Sequence, residues 1–255
     1  MKIFPEQNSI HNLKNLKMGI DPTFNRLHIG HLVPLAWLKK NERKDVTIVL
    51  GTITARLGDP SGQDKTRPIL SELEVRNNAD AIKKQVLKIL PNARIWEQQE
   101  LSATELLEIS SHFTVSKMMS RDNFQAREGV SLHELSVPIL QAMDSVLLQT
   151  ELELGGEDQL FNFELTREIQ KIHNQKPQTC LMFPIIRGTD GQKMSKSKGN
   201  CIWLDDPQIE QRILSISDEV MDEDLIPLFC ENPLEHPFER KKQLARAIKE
   251  LLNEN

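Results

Sequence analysis

Two short strings in this sequence combine residue types that can handle a polyphosphate. The first is His28-Ile29-Gly30-His31, preceded by Gly19-Ile20-Asp21-Pro22-Thr23. The pattern reads as a strand ending at Asp21, a turn, and a helix beginning near His28. A helix N-terminus offers unpaired N–H groups and the positive end of a dipole, which suits an anion. Gly30 allows a ligand close to the backbone, and two histidines in the first turn add donors. Ordinary helix capping is the plain alternative, and the spacing alone is too poor in ligands to read as a metal site. The second string is Lys193-Met194-Ser195-Lys196-Ser197-Lys198-Gly199-Asn200. It reads as a glycine-bounded loop whose ammonium groups could neutralise charge growing on a leaving pyrophosphate. A solvated basic loop is its plain alternative. Two acids also call for a use or a partner. Asp59 sits in a glycine-rich turn after an apolar strand, and Asp144 lies between Met143 and Val146 in an apolar helix.

The elements that must hold these residues alternate in type. Leu16–Ile20, Val46–Leu50, Ala93–Trp96, Leu152–Leu154, Leu181–Ile186 and Cys201–Leu204 read as strands. Between them, Val75, Ala79, Ile82 and Val86, and later Phe161, Leu165, Ile169 and Ile172, recur at helical spacing. From Asp206 onward the pattern is helical only. Such alternation predicts an α/β fold with a parallel sheet and right-handed crossovers, whose ligands bind at the carboxyl ends of the strands. The motifs fall at such ends.

Composition sets the bounds. A chain of 255 residues with 38% hydrophobic residues accommodates one large α/β domain with a small helical appendage. No apolar run reaches membrane-spanning length, and no secretory signal is visible, so no membrane partner is expected. Cys180, Cys201 and Cys230 are odd in number and widely spaced, which fits reduced thiols in a cytoplasmic setting. The net charge of −5 gives no support to tight RNA binding, and Arg240, Lys241, Lys242 and Arg246 read as a solvated helix face. Tyrosine is absent.

The two strings, in this order and each at a strand end, resemble the paired signatures of class I aminoacyl-tRNA synthetases. Gly58-Asp59-Pro60-Ser61-Gly62 and His112-Phe113-Thr114-Val115-Ser116 are similar to the tyrosyl enzymes. Leu147-Leu148-Gln149-Thr150 and Gly156-Glu157-Asp158-Gln159 look more like the tryptophanyl ones. The resemblance covers nearly the whole chain. It implies a Rossmann-like parallel sheet with helices on both faces over residues 1–204. A short C-terminal helical segment, a truncated helical domain lacking most of the anticodon-binding part, would occupy 205–255. It further implies ATP-dependent formation of an aminoacyl-adenylate, with Mg²⁺ travelling with ATP and no metal held by the protein alone.

Carried over position by position, Asp21 and Thr23 would line the ATP and amino-acid site. His28, Gly30 and His31 would hold the α-phosphate region. Asp59 and Gln141 would receive the substrate's ammonium group, Asp144 would read its side chain, and Gln159 would lie by its carboxylate. Gly156 and Asp158 would bind the ribose. Lys193, Lys196 and Ser197 would bind pyrophosphate, with Met194 inside the same ATP-binding string.

Two positions depart from the tyrosyl pattern: Lys17 and Val137 stand where tyrosines would read the phenol and the ammonium group. A lysine beside Asp144 predicts an ion pair with it, or a substrate carbonyl between them, and makes tyrosine a poor substrate. With the helical domain short, the expected acceptor is a non-tRNA molecule or a minimal one. Charging through a tRNA acceptor stem, and a non-catalytic RNA- or partner-binding paralogue, are the alternatives. The segment 112–127 resembles the family's dimer interface, so a homodimer is expected.

Overall fold

The computed structural model describes residues 1–6, 9–43, 45–57, 69–121, 124, 129–194 and 199–253. In chain order the strands are β1 (Lys2–Phe4), β2 (Leu16–Ile20), β3 (Val46–Leu50), β4 (Arg94–Glu97), β5 (Leu152–Gly156) and β6 (Thr179–Phe183). The helices are α1 (Ile29–Lys40), α2 (Thr52–Leu57), α3 (Glu72–Ile89), α4 (Ala103–Ser110), α5 (Val115–Met119), α6 (Leu132–Leu147) and α7 (Leu160–Ile172), then α8 (Ile209–Leu214), α9 (Asp218–Val220), α10 (Ile226–Phe229) and α11 (Pro237–Asn253). The chain forms two compact units interleaved along the sequence. One comprises residues 1–24, 45–80 and 94–182, the other 25–44, 81–93 and 183–255.

The first unit is built on a six-stranded sheet of order β1-β6-β5-β2-β3-β4. Strand β2 pairs in parallel with β3 and with β5, and β3 with β4. The central strands are short apolar runs because both their faces are covered: Leu16, Met18, Ile20, Ile48, Val49 and Leu50 are buried. Successive strands leave β2 in opposite directions, so the carboxyl ends of β2 and β5 form the switch point where ligands of such sheets bind. Helices α4 to α7 enclose a core of Ile109, Met118, Ile139, Ala142, Met143, Val146, Leu165 and Ile169. The sheet is not wholly parallel: β1 adds an antiparallel edge on β6, with Ile3 opposite Leu181. β6 also starts earlier than its apolar run suggests and stops at Phe183, because Pro184 cannot donate to a ladder.

The second unit holds α1, a hairpin around residues 186–194, and α8 to α11. Cys201–Leu204 forms no strand; it contributes an isolated bridge, Trp203 to His28. A π-helical turn, Met221–Leu225, joins α9 to α10 and presents Asp224 to Arg187, whose backbone N–H and guanidinium both donate to that carboxylate. Leu244 and Ile248 of α11 are buried. Along the same helix, Arg240, Lys241 and Lys242 pair with Asp222, Asp218 and Glu239 at 3.0, 2.7 and 3.0 Å.

Candidate functional site

At the switch point, Asp21 follows the end of β2 and accepts a hydrogen bond from Thr54 Oγ1 at 2.7 Å. The neighbouring Gly51 is required there: a Cβ would lie 2.1 Å from Asp21 Oδ1 and 2.3 Å from Thr54 Oγ1. The amide of Thr23 donates to the Asp21 carbonyl at 2.8 Å and closes the turn. At the end of β5, Gly156 leads into a 3₁₀ turn, Glu157–Gln159, which carries Asp158 and Gln159. Asp21, Thr23, Gly156, Asp158 and Gln159 are half-buried. Asp59 lies outside the described residues.

Lys17 is buried, but it does not pair with Asp144. Its Nζ lies 2.9 Å from Glu153 Oε1 and donates to the Gln141 carbonyl at 3.1 Å. The reason is register: Lys17 and Glu153 are direct neighbours on the parallel strands β2 and β5, and their side chains emerge on the same face. Neither charge could be buried alone without a cost of several kcal/mol. Glu153 is saturated. Besides Lys17 it accepts from Gln141 Nε2 at 3.3 Å, Ser145 Oγ at 3.2 Å and Gln178 Nε2. The expectation of a Lys17–Asp144 pair, or of a substrate carbonyl held between the two, therefore gives way to a Lys17–Glu153 pair.

Asp144, on α6, accepts from Gln98 Nε2 at 2.8 Å. Burial pushes its carboxyl up from the ordinary 3.8 to about 6; Lys17, Gln98 and Trp96 pull it down, and Glu153 adds to the rise. Val137 lies buried on the same helix. Gln141 is half-buried, with its side-chain oxygen accepting from Asn162 Nδ2 at 2.9 Å; that same nitrogen donates to Gln159 Oε1 at 2.7 Å. The partners that sequence reasoning missed are Glu153, Gln98 and Asn162. Glu153 carried a signal, being an acid between Leu152 and Leu154 in a strand covered on both faces.

In the second unit, the two histidines do cap α1. His28 Nδ1 accepts from the Gly30 amide at 3.1 Å, and His31 Nδ1 accepts from the His28 amide at 3.2 Å. A neutral imidazole that accepts at Nδ1 carries its hydrogen at Nε2. Capping thus fixes both rings as Nε2–H donors. The rings lie 4.0 Å apart between centroids, tilted by 45°. Gly30 makes room for this: a Cβ there would lie 2.9 Å from His28 Cε1. No acid occupies the first turn of α1, so nothing there opposes an anion at the helix end.

The lysine string begins on the hairpin. Met194 is buried, its amide donating to the Ile186 carbonyl at 3.0 Å, and Lys193 bridges to Arg187 through the backbone. Asn200 gathers the base, donating to Asp190 Oδ1 at 2.8 Å and to the Lys193 carbonyl at 3.2 Å. Lys196 and Ser197 lie outside the described residues. Directly after the string, Ile202 accepts from the Ile29 amide at 3.0 Å, and the Leu204 amide donates to Leu27 at 2.9 Å. Trp203 meets the edge of His28, with centroids 6.1 Å apart. The two strings are therefore joined by one short ladder inside a single unit.

The sequence profile of the family described as tRNA synthetases class I (W and Y) matches residues 11–253. The chain belongs to this family. Among curated members, Tyrosine--tRNA ligase 2 of Vibrio parahaemolyticus serotype O3:K6 is 40% identical over 240 residues, covering 86% of this chain and 61% of the relative. The Tyrosine--tRNA ligase of Aquifex aeolicus is 37% identical, covering 97% and 70%. The chain thus spans about three-fifths of the length of the Vibrio relative. The fold agrees with that of tyrosyl-tRNA synthetase complexed with L-tyrosine from Archaeoglobus fulgidus, at a TM-score of 0.72 and 22% identity over 93% of this chain and 87% of that one. It also agrees with that of a C-terminally truncated mitochondrial tyrosyl-tRNA synthetase from Aspergillus nidulans, at 0.75 and 20% over 93% and 81%.

Proposed function

We propose that this chain activates an amino acid with ATP, releasing pyrophosphate. The observation that carries the reading is the ladder joining the Nε2–H histidines to the lysine string. In the reaction, a carboxylate oxygen of the amino acid bonds to the α-phosphorus and the bond to the β-phosphate oxygen breaks. No general base is needed, so rate comes from positioning and charge neutralisation. His28 and His31 donate to phosphate oxygens, Lys193 with Lys196 and Ser197 stabilises the departing pyrophosphate, and Mg²⁺ arrives with the nucleotide. Asp21, Asp158 and Gly156 serve the nucleotide and ribose, Gln141 and Asp59 the ammonium group, and Gln159 the carboxylate. Free thiols at Cys180, Cys201 and Cys230 suit a reducing, cytoplasmic compartment.

Asp144 offers an acceptor at the side-chain end, so the substrate brings a hydrogen-bond donor. Tyrosine is expected to be a poor one, because Lys17, held by Glu153, replaces a group expected to read the phenol. The proposed acceptor is smaller than a full tRNA, a reading favoured by the neutralised cations of α11. Tyrosine charging to tRNA is the second reading, favoured by the names of the 40%-identical relatives. Pyrophosphate exchange across the amino acids, with and without bulk tRNA, decides. Exchange with no amino acid at all defeats activation, and fastest exchange with tyrosine defeats the specificity reading.

A further inference from the structure

The buried ion pair touches more than itself. Glu153 accepts from Lys17, Gln141 Nε2, Ser145 Oγ and Gln178 Nε2. The two ends of an amide side chain have nearly the same shape, so its partners decide which end is oxygen. An ionised carboxylate only accepts, so Gln141 must turn its NH₂ to Glu153. Its oxygen then faces Asn162, which must answer with NH₂, and that same NH₂ meets the oxygen of Gln159. One charge therefore sets the direction of a row of three amides.

Two buried atoms bear the mark of this wiring. Asn162 Oδ1 and Gln178 Oε1 are buried acceptors without a hydrogen-bond partner. The NH₂ of Asn162 is committed within the row, and that of Gln178 to Glu153 itself. Leaving a buried acceptor unmade is costly, but turning Asn162 would set its oxygen against those of Gln141 and Gln159, and turning Gln178 would set its oxygen against the Glu153 carboxylate. Lys17 underlies the arrangement: its ammonium and the Gln141 NH₂ both meet Glu153 Oε1, so Gln141 faces an acceptor that already pairs with a cation.

We infer that the Lys17–Glu153 pair is an orientation lock, which fixes the Gln141 side-chain oxygen as an acceptor for the substrate's ammonium group and, through Asn162, sets which way the Gln159 amide faces. Lys17, Glu153 and Asn162 are positioning residues, and Lys17 does not touch substrate. The identity of the ligand rests on the activation reading above; the wiring of the amides does not.

The test pairs two substitutions. Lys17→Met alone strands a buried carboxylate and Glu153→Gln alone strands a buried ammonium, so both are expected to lower the thermal midpoint sharply. Lys17→Met with Glu153→Gln removes both charges at nearly constant volume and is expected to recover the midpoint. In that folded variant the KM for the amino acid should rise about tenfold while the KM for ATP stays put, as for the loss of one well-aimed hydrogen bond. Side-chain amide protons of Gln141 and Asn162, followed by ¹⁵N NMR, should exchange slowly in the wild type and fast in the paired variant. An unchanged amino-acid KM in the paired variant, or equal amide protection, overturns the lock. If the wild type exchanges pyrophosphate with no amino acid, activation fails, and amide protection alone decides the lock.

Discussion

Asp144 sits in surroundings that disfavour its charge. Its carboxyl binds a proton more tightly in the folded chain, at about 6, than in the unfolded one, at an ordinary 3.8. Between those values the folded state holds more protons, so stability falls as pH rises from about 4 to 6 and then levels. Asp144→Asn keeps the shape and an acceptor for Gln98. It is expected to flatten that slope and to stabilise the chain at pH 7, by an amount on the order of 2–3 kcal/mol. Denaturant unfolding between pH 4 and 8 measures it, and a slope identical to wild type would show that another group titrates. Lys193→Ala has the opposite profile: wild-type stability with pyrophosphate exchange slowed roughly 10²-fold. Cys180, by contrast, should resist alkylating reagents in the native chain, since burial first, and Glu153 next, push its thiol up to about 12.

At the level of elements, capping and chemistry at α1 can be separated. His28→Asn supplies an N-cap oxygen but no Nε2–H, whereas His28→Ala removes both. Both variants should lose pyrophosphate exchange, and only the alanine should lose stability, about 1 kcal/mol by thermal unfolding. If the His28→Asn variant retained wild-type exchange, the His28 imidazole would be a cap and nothing more. The stripe at Val75, Ala79, Ile82 and Val86 makes α3 legible in the sequence, because a helix with one buried face repeats its apolar residues at that spacing. The same holds for the central strands, whose apolar runs mirror two covered faces. Strand β1 is not legible: three residues ahead of a proline show no period, and their pairing depends on a segment far along the chain. Lys17 and Asp144 are legible as buried charges, yet their partners are not. Whether Lys17 meets Asp144 or Glu153 depends on the register of β2 against β5, a non-local fact that the spacing of residues does not encode.

At the scale of the whole molecule, the expected homodimer remains a proposal. Part of the segment 112–127 lies outside the described residues, and Met118 is a core residue rather than an interface one. Three exposed apolar side chains nonetheless lie on helices that share this core: Leu107 on α4, Val115 on α5 and Leu132 at the start of α6. Light scattering at micromolar concentration should give about twice the chain mass of 29.3 kDa. Val115→Glu with Leu132→Glu should halve that value at unchanged helicity. A wild-type mass equal to that of a single chain would dispose of the dimer. Among the described residues no helix is long and apolar enough to cross a membrane.

The side-by-side placement of Lys17 and Glu153 also constrains the histories open to this pocket. Any lineage exchanging one of the two for an uncharged residue must pass through a protein with a lone charge sealed in its sheet, a barrier that selection on specificity alone would rarely let it cross. The two positions can drift only in step. A library randomised at residue 17 should return lysine almost to the exclusion of other residues, while a library randomised at 17 and 153 together should return uncharged pairs that fold, many with altered substrate preference. On the proposed reading, substrate preference is thus a trait that two coordinated codon changes can move and one cannot.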